Sequence, residues 1–383
     1  MSDIESELVT LRRTLHRIPE LAWRERETSQ VLRQYVGRWG EVKPIANTGF
    51  YVDLVRPNAA PPERTILLRA DMDALPIHEE TGLAWASTHP GKMHACGHDG
   101  HMASLAVAGR LLSAAPPEGV RLRLLFQPSE EGGGGALACI EEGVLEGVDV
   151  AFGIHIWNEL PLGTVALTTG GIMAGVVELG IEVVGQGGHG AIPHRTRDPV
   201  VAAAQLVTAL QTVASRRVAP VEPVVVTIGS IHGGEAFNVI PNAVSLRGTV
   251  RAFSEPVLED VESAVRAIAA GVAMATGTEI SVAWKLSTRP TVNDGRIAGL
   301  ARAAAEERMQ GFTRIATDYR TMAGEDFGEI LRVVPGCFAL VGSQNVARGL
   351  TEPHHSPRFE FDEAALMLAC DLHRAVAAEF AES

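Results

Sequence analysis

The sequence predicts an α/β protein of two domains: a larger domain with a mostly parallel central sheet flanked by helices, and a smaller α+β domain inserted into it. Three observations predict this fold class. The chain has 383 residues, whereas one domain usually holds about 100 to 200. In its first half, short runs rich in Val, Ile and Leu alternate with helical patterns, which is typical of a parallel sheet. After about residue 175 the order becomes strand, helix, strand, strand, helix, strand.

The elements of the larger domain follow from the spacing of apolar residues. Two helices open the chain, because Leu, Val and Tyr recur at helical spacing over residues 5–17 and 25–39. Short apolar runs bounded by Pro, Gly or charge predict buried strands at 51–55, 65–70, 121–126 and 150–156. Helical patterns alternate with those strands or follow the insertion, at 101–114, 135–142, 296–309 and 363–380, and an apolar segment lies near 338–342.

The inserted domain has the element order of a ferredoxin-like sandwich. Its strands are predicted at 176–184, 224–231, 243–251 and 279–284, with one helix at 199–216 and another that starts at Pro256, a residue suited to the first helical position. We therefore expect a catalytic domain formed by residues 1–177 and 293–383, and an inserted domain at 178–292. Because the insertion begins and ends near one place, we expect it to act as a hinged lid or dimerisation domain.

Composition excludes several classes of partner. The formal net charge of −13 disfavours nucleic acid and anionic membrane surfaces, since both require a basic footprint. No apolar stretch reaches the roughly 20 residues of a membrane helix, and the N-terminal segment carries charge where a signal peptide is apolar. We therefore expect a cytoplasmic protein. The four cysteines are too far apart for a disulfide framework, and Cys139, Cys337 and Cys370 are expected to be small buried residues.

The densest cluster of reactive side chains is His94-Ala-Cys96-Gly-His98-Asp99-Gly-His101. Thiolate and neutral imidazole are good ligands for zinc, cobalt, nickel or manganese. The one-residue gap lets Cys96 and His98 point toward one centre. Taken alone, the cluster leaves open the alternative that its histidines only form hydrogen bonds.

A pair of acids, Glu130 and Glu131, follows the predicted strand 121–126. Open α/β sheets place ligand crevices at the carboxyl ends of their strands. One carboxylate there could bind a metal ion while its neighbour takes a proton from water. The alternative is a solvated acidic turn before a helix N-terminus.

Further candidates follow neighbouring strands and one late loop. His155 interrupts an apolar run, where the alternative is an ordinary core histidine. One of His354 and His355, which lie between two prolines, could complete a coordination sphere. Asp71 and Asp73 share a face of an extended chain, so we expect them to hydrogen-bond ligand imidazoles. An ordinary polar turn is the alternative for this pair.

Nine segments in this order resemble the aminoacylase and carboxypeptidase family of dinuclear metallopeptidases. The resemblance is to the amidohydrolase branch that holds hippurate hydrolases and the auxin-conjugate (IAA-amino acid) hydrolases of plants, and it spans almost the whole chain. The segments are LHRIPEL, RADMDALP, MHACGHDGHMA, FQPSEEGGGGA, GQGGHGAIPH, FNVIP, GTVR, AGEDFG and HHSPRFEFDE.

The resemblance implies a site for two divalent metal ions per subunit: zinc, manganese, nickel or cobalt. The implied general base is Glu130, which removes a proton from a metal-activated water, and the implied ligands are Cys96, His98, Glu131, His155 and His355. His355 is preferred to His354 because it directly precedes Ser-Pro. Asp71 stands where related carboxypeptidases have a histidine ligand, while Cys96 enters the ligand set.

The inserted domain is implied to complete the site. By resemblance, His189 donates a hydrogen bond to the developing oxyanion, on lid closure or across a dimer interface. Asn238 and Arg251 would hold the carboxylate of the product amino acid. Glycines at 187, 188 and 190 suit close backbone approach and positive φ.

These inferences predict a hydrolase that cuts the amide bond of N-acyl amino acids, such as N-acetyl or N-benzoyl compounds, and releases a carboxylic acid and a free amino acid. Its partner is thus a small-molecule substrate, and we expect a homodimer or higher homo-oligomer. A dipeptidase or carboxypeptidase of the same family is one alternative, and a non-catalytic binder of acylated amino acids is another. The apolar helix 200–213 fits either dimerisation or packing on its own sheet.

Overall fold

The computed structural model describes residues 3–57 and 60–383. The chain divides into two units. The larger comprises Met1–Ile172, Val292–Arg320 and Asp326–Ser383, and the smaller comprises Met173–Thr291 with Thr321–Glu325. The functional division into a catalytic domain and a lid remains a prediction.

The helices and strands are numbered in chain order. The helices are α1 (Asp3–His16), α2 (Arg26–Val36), α3 (His98–Ala114), α4 (Gly135–Glu141), α5 (Pro199–Thr212), α6 (Glu255–Thr276), α7 (Gly295–Arg308), α8 (Phe327–Val333) and α9 (Ala364–Glu382). The strands are β1 (Val42–Ile45), β2 (Gly49–Leu54), β3 (Arg64–Asp71), β4 (Val120–Gln127), β5 (Val150–Pro161), β6 (Thr164–Ala166), β7 (Gly170–Met173), β8 (Gly175–Val184), β9 (Gly188–His189), β10 (Val224–His232), β11 (Val239–Ile240), β12 (Ala243–Ala252), β13 (Glu279–Thr288), β14 (Thr291–Asn293), β15 (Arg314–Ala316) and β16 (Gly336–Gln344). Within the described ranges, no helix is both long and apolar enough to span a bilayer.

The larger unit is built on an eight-stranded sheet in the order β1-β2-β4-β3-β5-β16-β6-β15. Its central strands β4, β3, β5 and β16 are parallel to one another. Residues of β3, β4 and β16 are buried almost without interruption, as expected of strands covered on both faces. The mostly parallel α/β sheet predicted from the sequence is confirmed. Its parallel strands end at one edge, where α/β folds place their ligand sites.

Helices cover this sheet and complete the core of the larger unit. Helix α3 packs on α1, α9 and strand β3, while α4 packs on α8. The buried faces of these elements form one apolar cluster that includes Leu15, Leu68, Phe152 and Leu366. Cys139, Cys337 and Cys370 are fully buried and unpaired, as predicted.

The smaller unit contains a four-stranded antiparallel sheet in the order β10-β12-β8-β13. Helices α5 and α6 pack on it, which gives the predicted ferredoxin-like order of elements. Asp198 caps α5 by accepting hydrogen bonds from the N–H groups of Val200 and Val201. Leu206 and Leu210 of α5 are buried against the sheet, whereas Val200 and Val201 are exposed. Packing within the unit therefore accounts for only part of the apolar pattern of this helix. Dimerisation stays a prediction.

Candidate metal centre

A loop delivers Cys96 and His98 to the carboxyl edge of the larger sheet. Gly97 lies between them with φ of +89°, a left-handed conformation that favours glycine. Helix α3 begins at His98. A Cβ at Gly100 would lie only 2.5 Å from Cδ1 of Ile156, so the absence of a side chain there lets α3 approach β5. The Sγ atom of Cys96 thereby lies 3.4 Å from Nε2 of His155.

His98 and His155 present the same ring nitrogen to the cluster. Nδ1 of His98 donates to the backbone carbonyl of Asp73 at 2.8 Å, and Nδ1 of His155 donates to the carbonyl of Ile156 at 2.7 Å. In a neutral imidazole the other nitrogen then carries a lone pair. Nε2 of His98 is buried and has no hydrogen-bond partner among the described residues. Both rings are thus oriented as metal-ligating histidines usually are.

The turn after β4 holds the two glutamates by their main chain. The carboxylate of Asp73 accepts hydrogen bonds of 2.9 Å from the N–H groups of Glu130 and Glu131. Glu25 accepts the N–H of Ser129 at 2.9 Å, and Ser129 has φ of +54°. Two buried carboxylates therefore shape the turn that carries the predicted base and the predicted ligand beside it.

His355 and His354 point in different directions. The imidazole of His355 is half exposed, and its Nε2 lies 3.2 Å from Oε1 of Glu131. Its backbone has φ of +67°, and its N–H donates to the carbonyl of Ala95 at 2.9 Å. His354 instead stacks on Trp157, and its Nε2 accepts the N–H of Asn158 at 3.0 Å. The structure thus places His355, the residue preferred from the sequence, beside Glu131.

The five predicted ligands and the predicted base form adjoining groups. In each group the potential ligand atoms lie within 4.8 Å of one another: Cys96, His98 and His155; Cys96, Glu131 and His355; and His98, Glu130 and Glu131. Cys96 belongs to the first two groups, so these two groups share one potential ligand atom. A set of thiol, imidazole and carboxylate donors fits borderline divalent ions such as zinc. The unpartnered Nε2 of His98 is a further observation that fits a bound cation.

The charges at this edge also suit cations. Burial raises the pKa of the Cys96 thiol well above its usual range, and the carboxylates of Glu131 and Glu130 raise it further. Burial opposes the charged form of His98, but Asp71 outweighs it and raises the pKa of His98 to about 10. Burial, reinforced by neighbouring histidines, lowers the pKa of His155 well below its usual range. The thiolate needed for ligation is therefore stable only when a positive charge is close.

Asp71 and Asp73 differ from the prediction in the way they contact histidines. Asp71 accepts a hydrogen bond of 2.7 Å from Nδ1 of His101, which is not an implied ligand, and its Oδ2 is 3.7 Å from Nε2 of His98. Asp73 bonds His98 through its backbone carbonyl, and its own Oδ1 is 3.7 Å from Nδ1 of that ring. The sequence reasoning missed this use of the main chain. It also assigned no role to His101, although a position three residues after His98 on a helix shares its face.

The remaining predicted site residues lie in the smaller unit. His189 is exposed in β9, and its Nδ1 accepts the N–H of Ala191 at 3.0 Å, so its Nε2 is the donor in the neutral ring. Asn238 is exposed, and its carbonyl accepts the N–H of Gly190. Arg251 is half buried in β12 and donates to the carbonyl of Met322 at 2.7 Å. Their roles toward substrate stay predictions.

The glycines around His189 are explained by close contact alone. A Cβ at Gly187 would lie 2.4 Å from the carbonyl oxygen of Ile240, and one at Gly190 would lie 3.0 Å from that of Asn238. None of the glycines at 187, 188 and 190 has positive φ. The prediction of close backbone approach is confirmed, and the prediction of positive φ is wrong, because the pairing of β9 with β11 keeps this segment extended.

Known proteins resemble the chain over nearly its whole length. Residues 67–379 match the model of peptidase family M20/M25/M40. The chain is 40% identical over 372 residues to N-acetyl-L-cysteine deacetylase of Bacillus subtilis (strain 168), across 96% of this chain and 87% of that protein. It is 38% identical over 380 residues to IAA-amino acid hydrolase ILR1-like 4 of Arabidopsis thaliana, across 97% and 85%.

A solved structure extends this resemblance to the fold. The YXEP protein of Bacillus subtilis, described as a dinuclear metal binding peptidase from the M20 family, matches with a TM-score of 0.86 and 32% identity. The match covers 100% of this chain and 99% of that one. The family implied by the motifs is therefore confirmed: the chain belongs to peptidase family M20/M25/M40.

Proposed function

We propose that this protein hydrolyses the amide bond of N-acyl amino acids and releases a carboxylic acid and a free amino acid. The observation that carries the proposal is the pair of donor groups that share Cys96. Glu130 lies beside them, in a third group with His98 and Glu131. The two relatives support it, since their names describe an N-acetyl amino acid deacetylase and a hydrolase of an amino acid conjugate.

Two divalent ions would be held by the five proposed ligands, which are Cys96, His98, Glu131, His155 and His355. Zinc, manganese, nickel and cobalt are the candidates, because a thiolate and imidazoles favour borderline ions over magnesium or calcium. When bound, such ions supply Lewis acidity, which lowers the pKa of water and polarises a carbonyl group. The proposed site residues that do not bind metal orient the substrate and transfer protons.

Glu130 is the proposed general base. Its main chain is held by Asp73, and its carboxylate lies within 4.8 Å of potential ligand atoms of His98 and Glu131. It takes a proton from the attacking water as the water oxygen bonds to the carbonyl carbon. When the carbon–nitrogen bond breaks, Glu130 returns that proton to the departing amine. One carboxylate thus serves both halves of the reaction.

The smaller unit supplies the proposed contacts to the rest of the substrate. Nδ1 of His189 accepts a backbone N–H, so Nε2 carries the proton in the neutral ring. We propose that Nε2 donates a hydrogen bond to the developing oxyanion. Asn238 and Arg251 are assigned to the carboxylate of the amino acid. We further propose that this unit acts as a lid or dimerisation domain, that the protein is a homodimer or higher homo-oligomer, and that it works in the cytoplasm.

A substrate panel tests the proposal. Metal-free protein is assayed with N-acetyl, N-benzoyl and N-indoleacetyl amino acids and with dipeptides, after Zn²⁺, Mn²⁺, Co²⁺ or Ni²⁺ is added back. We expect at least one ion to restore hydrolysis and acylated amino acids to react faster than dipeptides. Faster cleavage of dipeptides would indicate a dipeptidase or carboxypeptidase. Tight metal binding with no hydrolysis of either class would indicate a binding protein.

A further inference from the structure

His101 is a fully buried imidazole that the proposed reaction does not use. It comes within 4.8 Å of Asp71 and His98 in a group that could bind a metal ion, but both of its ring nitrogens are engaged. Nε2 lies 2.8 Å from the backbone nitrogen of Ile156, which can only donate. Nε2 therefore accepts, and the ring proton is on Nδ1, which donates to Asp71 at 2.7 Å. No lone pair of this ring is left for an ion.

The peptide that His101 holds adjoins a proposed ligand. Strand β5 pairs with β3 only as far as Gly153, whereas its pairing with β16 continues to Trp157 and, after a register shift, to Pro161. The ring of His101 thus gives the N–H of Ile156 an acceptor beyond the end of the β3 pairing. The carbonyl of the same residue accepts Nδ1–H of His155. The two imidazoles also touch edge to face, with ring centroids 4.5 Å apart.

The other partner of His101 is fixed by a buried network. Arg69 is fully buried and donates to Asp71 at 2.8 Å, to Gln127 at 3.0 Å and to Asp326 at 2.8 Å. Gln127 in turn donates to both carboxylate oxygens of Asp326. The ends of β3 and β4 and the start of α8 therefore hold the carboxylate of Asp71 in one position.

We propose that His101 is a positioning residue, whose tautomer is set by Asp71 and whose Nε2 holds the Ile156 peptide so that His155 faces Cys96. The inference rests on the proposed function, in which His155 is a metal ligand. Removing the acceptor at Nε2 frees the Ile156 peptide, and the imidazole of His155 loses its fixed direction. Metal affinity falls, while the number of ions bound at saturation does not.

Matched variants separate this role from ligation and from packing. The variant His101→Gln places an acceptor near the position of Nε2, and His101→Asn places a donor near the position of Nδ1. The variant His101→Leu has neither group. His373→Leu is the control, because His373 is equally buried and its ring contacts Phe152 on the apolar side of the unit. Metal-free proteins are titrated with Co²⁺ against a competing chelator, and the cobalt–thiolate absorption and the number of ions bound are recorded. Thermal unfolding of each metal-free variant is measured in parallel.

We expect His101→Leu to bind Co²⁺ about 10- to 100-fold more weakly than the wild type, with the same number of ions at saturation. His101→Gln and His373→Leu should stay within about threefold of the wild type, since neither removes the acceptor for Ile156. Loss of an ion from His101→Leu at saturating Co²⁺ would make His101 a ligand and overturn the inference. Equal affinities for His101→Leu and the wild type would also overturn it.

Three further cases have to be distinguished. If His101→Leu does not fold, His101→Asn should bind Co²⁺ about tenfold more weakly than His101→Gln, because only glutamine restores the acceptor; equal affinities of these two variants contradict the inference. If the wild type binds no Co²⁺, the proposed function fails and the inference falls with it. Normal binding by the wild type together with unchanged His101→Leu refutes the inference alone.

Discussion

The carboxylate of Asp73 accepts the backbone N–H of Glu130 at 2.9 Å, so the proposed base is held through its main chain. The second oxygen of the same carboxylate accepts the N–H of Glu131 at the same distance. A single buried acid thus orients the backbone of both the residue proposed to move protons and the residue proposed to bind metal.

Asp73→Asn should lower kcat about 10- to 100-fold, because an asparagine amide group must turn its NH₂ toward one of the two N–H donors. The measurement is steady-state hydrolysis of an N-acyl amino acid, with metal content determined on the same sample. Asp149→Asn is the matched control, since Asp149 accepts one backbone N–H, from Thr65, at the opposite end of β3. An Asp73→Asn variant as active as that control would show that the turn does not need this acid.

Glu130→Gln should keep its metal ions and lose turnover by about 10²- to 10⁴-fold, as expected for removal of a general base. Elemental analysis and single-turnover kinetics test the two halves of this statement. Glu141→Gln, an exposed position in α4, serves as the control for loss of one negative charge. Near-normal rates in Glu130→Gln would remove this residue from the mechanism.

Cys96→Ala should reduce the metal content of the purified protein, because Cys96 belongs to two of the donor groups. We expect at least one ion per subunit to be lost at metal concentrations that saturate the wild type. Cys370→Ala removes another buried thiol, in α9 and outside these groups, and should leave the metal content unchanged. Full occupancy in Cys96→Ala would exclude the sulfur as a ligand.

His16 should make the metal-free protein less stable as the pH rises from 6.5 to about 9. Burial disfavours the charged form of this imidazole, but Asp99, 2.7 Å from Nδ1, outweighs burial and raises the pKa of His16 to about 9 from its ordinary 6.5. A folded-state pKa above the unfolded value stabilises the protein fully below pH 6.5, and this stabilisation is lost as the pH rises through about 9. The shift corresponds to a free energy on the order of 3 kcal/mol.

Urea unfolding of the wild type and of His16→Gln across this range is the corresponding measurement. The difference in the free energy of unfolding between the two proteins should shrink as the pH rises, since the variant has no imidazole to deprotonate. A difference that stays constant from pH 6 to 9.5 would contradict a charged His16 in the folded state.

The central strands could be predicted because each contains a short apolar run of strand-forming residues. Strands β3 and β4 are buried on both faces, and their runs of Ile, Leu and Phe end at a polar residue. Strand β1 could not be predicted, since its four residues include Lys43 and Pro44 and it pairs only at the edge of the sheet. Strands β6 and β15 have only three residues each, too few to show a pattern. They form by pairing with strands that are distant in sequence.

The candidate site was predictable wherever a reactive side chain follows a strand. Glu130 falls into this class, since it comes just past the carboxyl end of β4. His155 lies inside β5, past the last residue of that strand that pairs with β3. His355 could not be separated from His354 on physical grounds, because the direction of each ring depends on a backbone with φ of +67° at His355. The bond of His101 to Asp71 spans 30 residues and exists only because α3 packs on β3.

Metal binding by the buried thiol of Cys96, as proposed, would exchange a proton for an ion. Because its surroundings hold the pKa of Cys96 well above the usual range, the sulfur carries hydrogen until a cation displaces it. Each ion that binds to it therefore releases H⁺ to the solvent, and the apparent dissociation constant decreases as the medium becomes more alkaline. Metal content measured after dialysis without a chelator should therefore decrease as the pH is lowered.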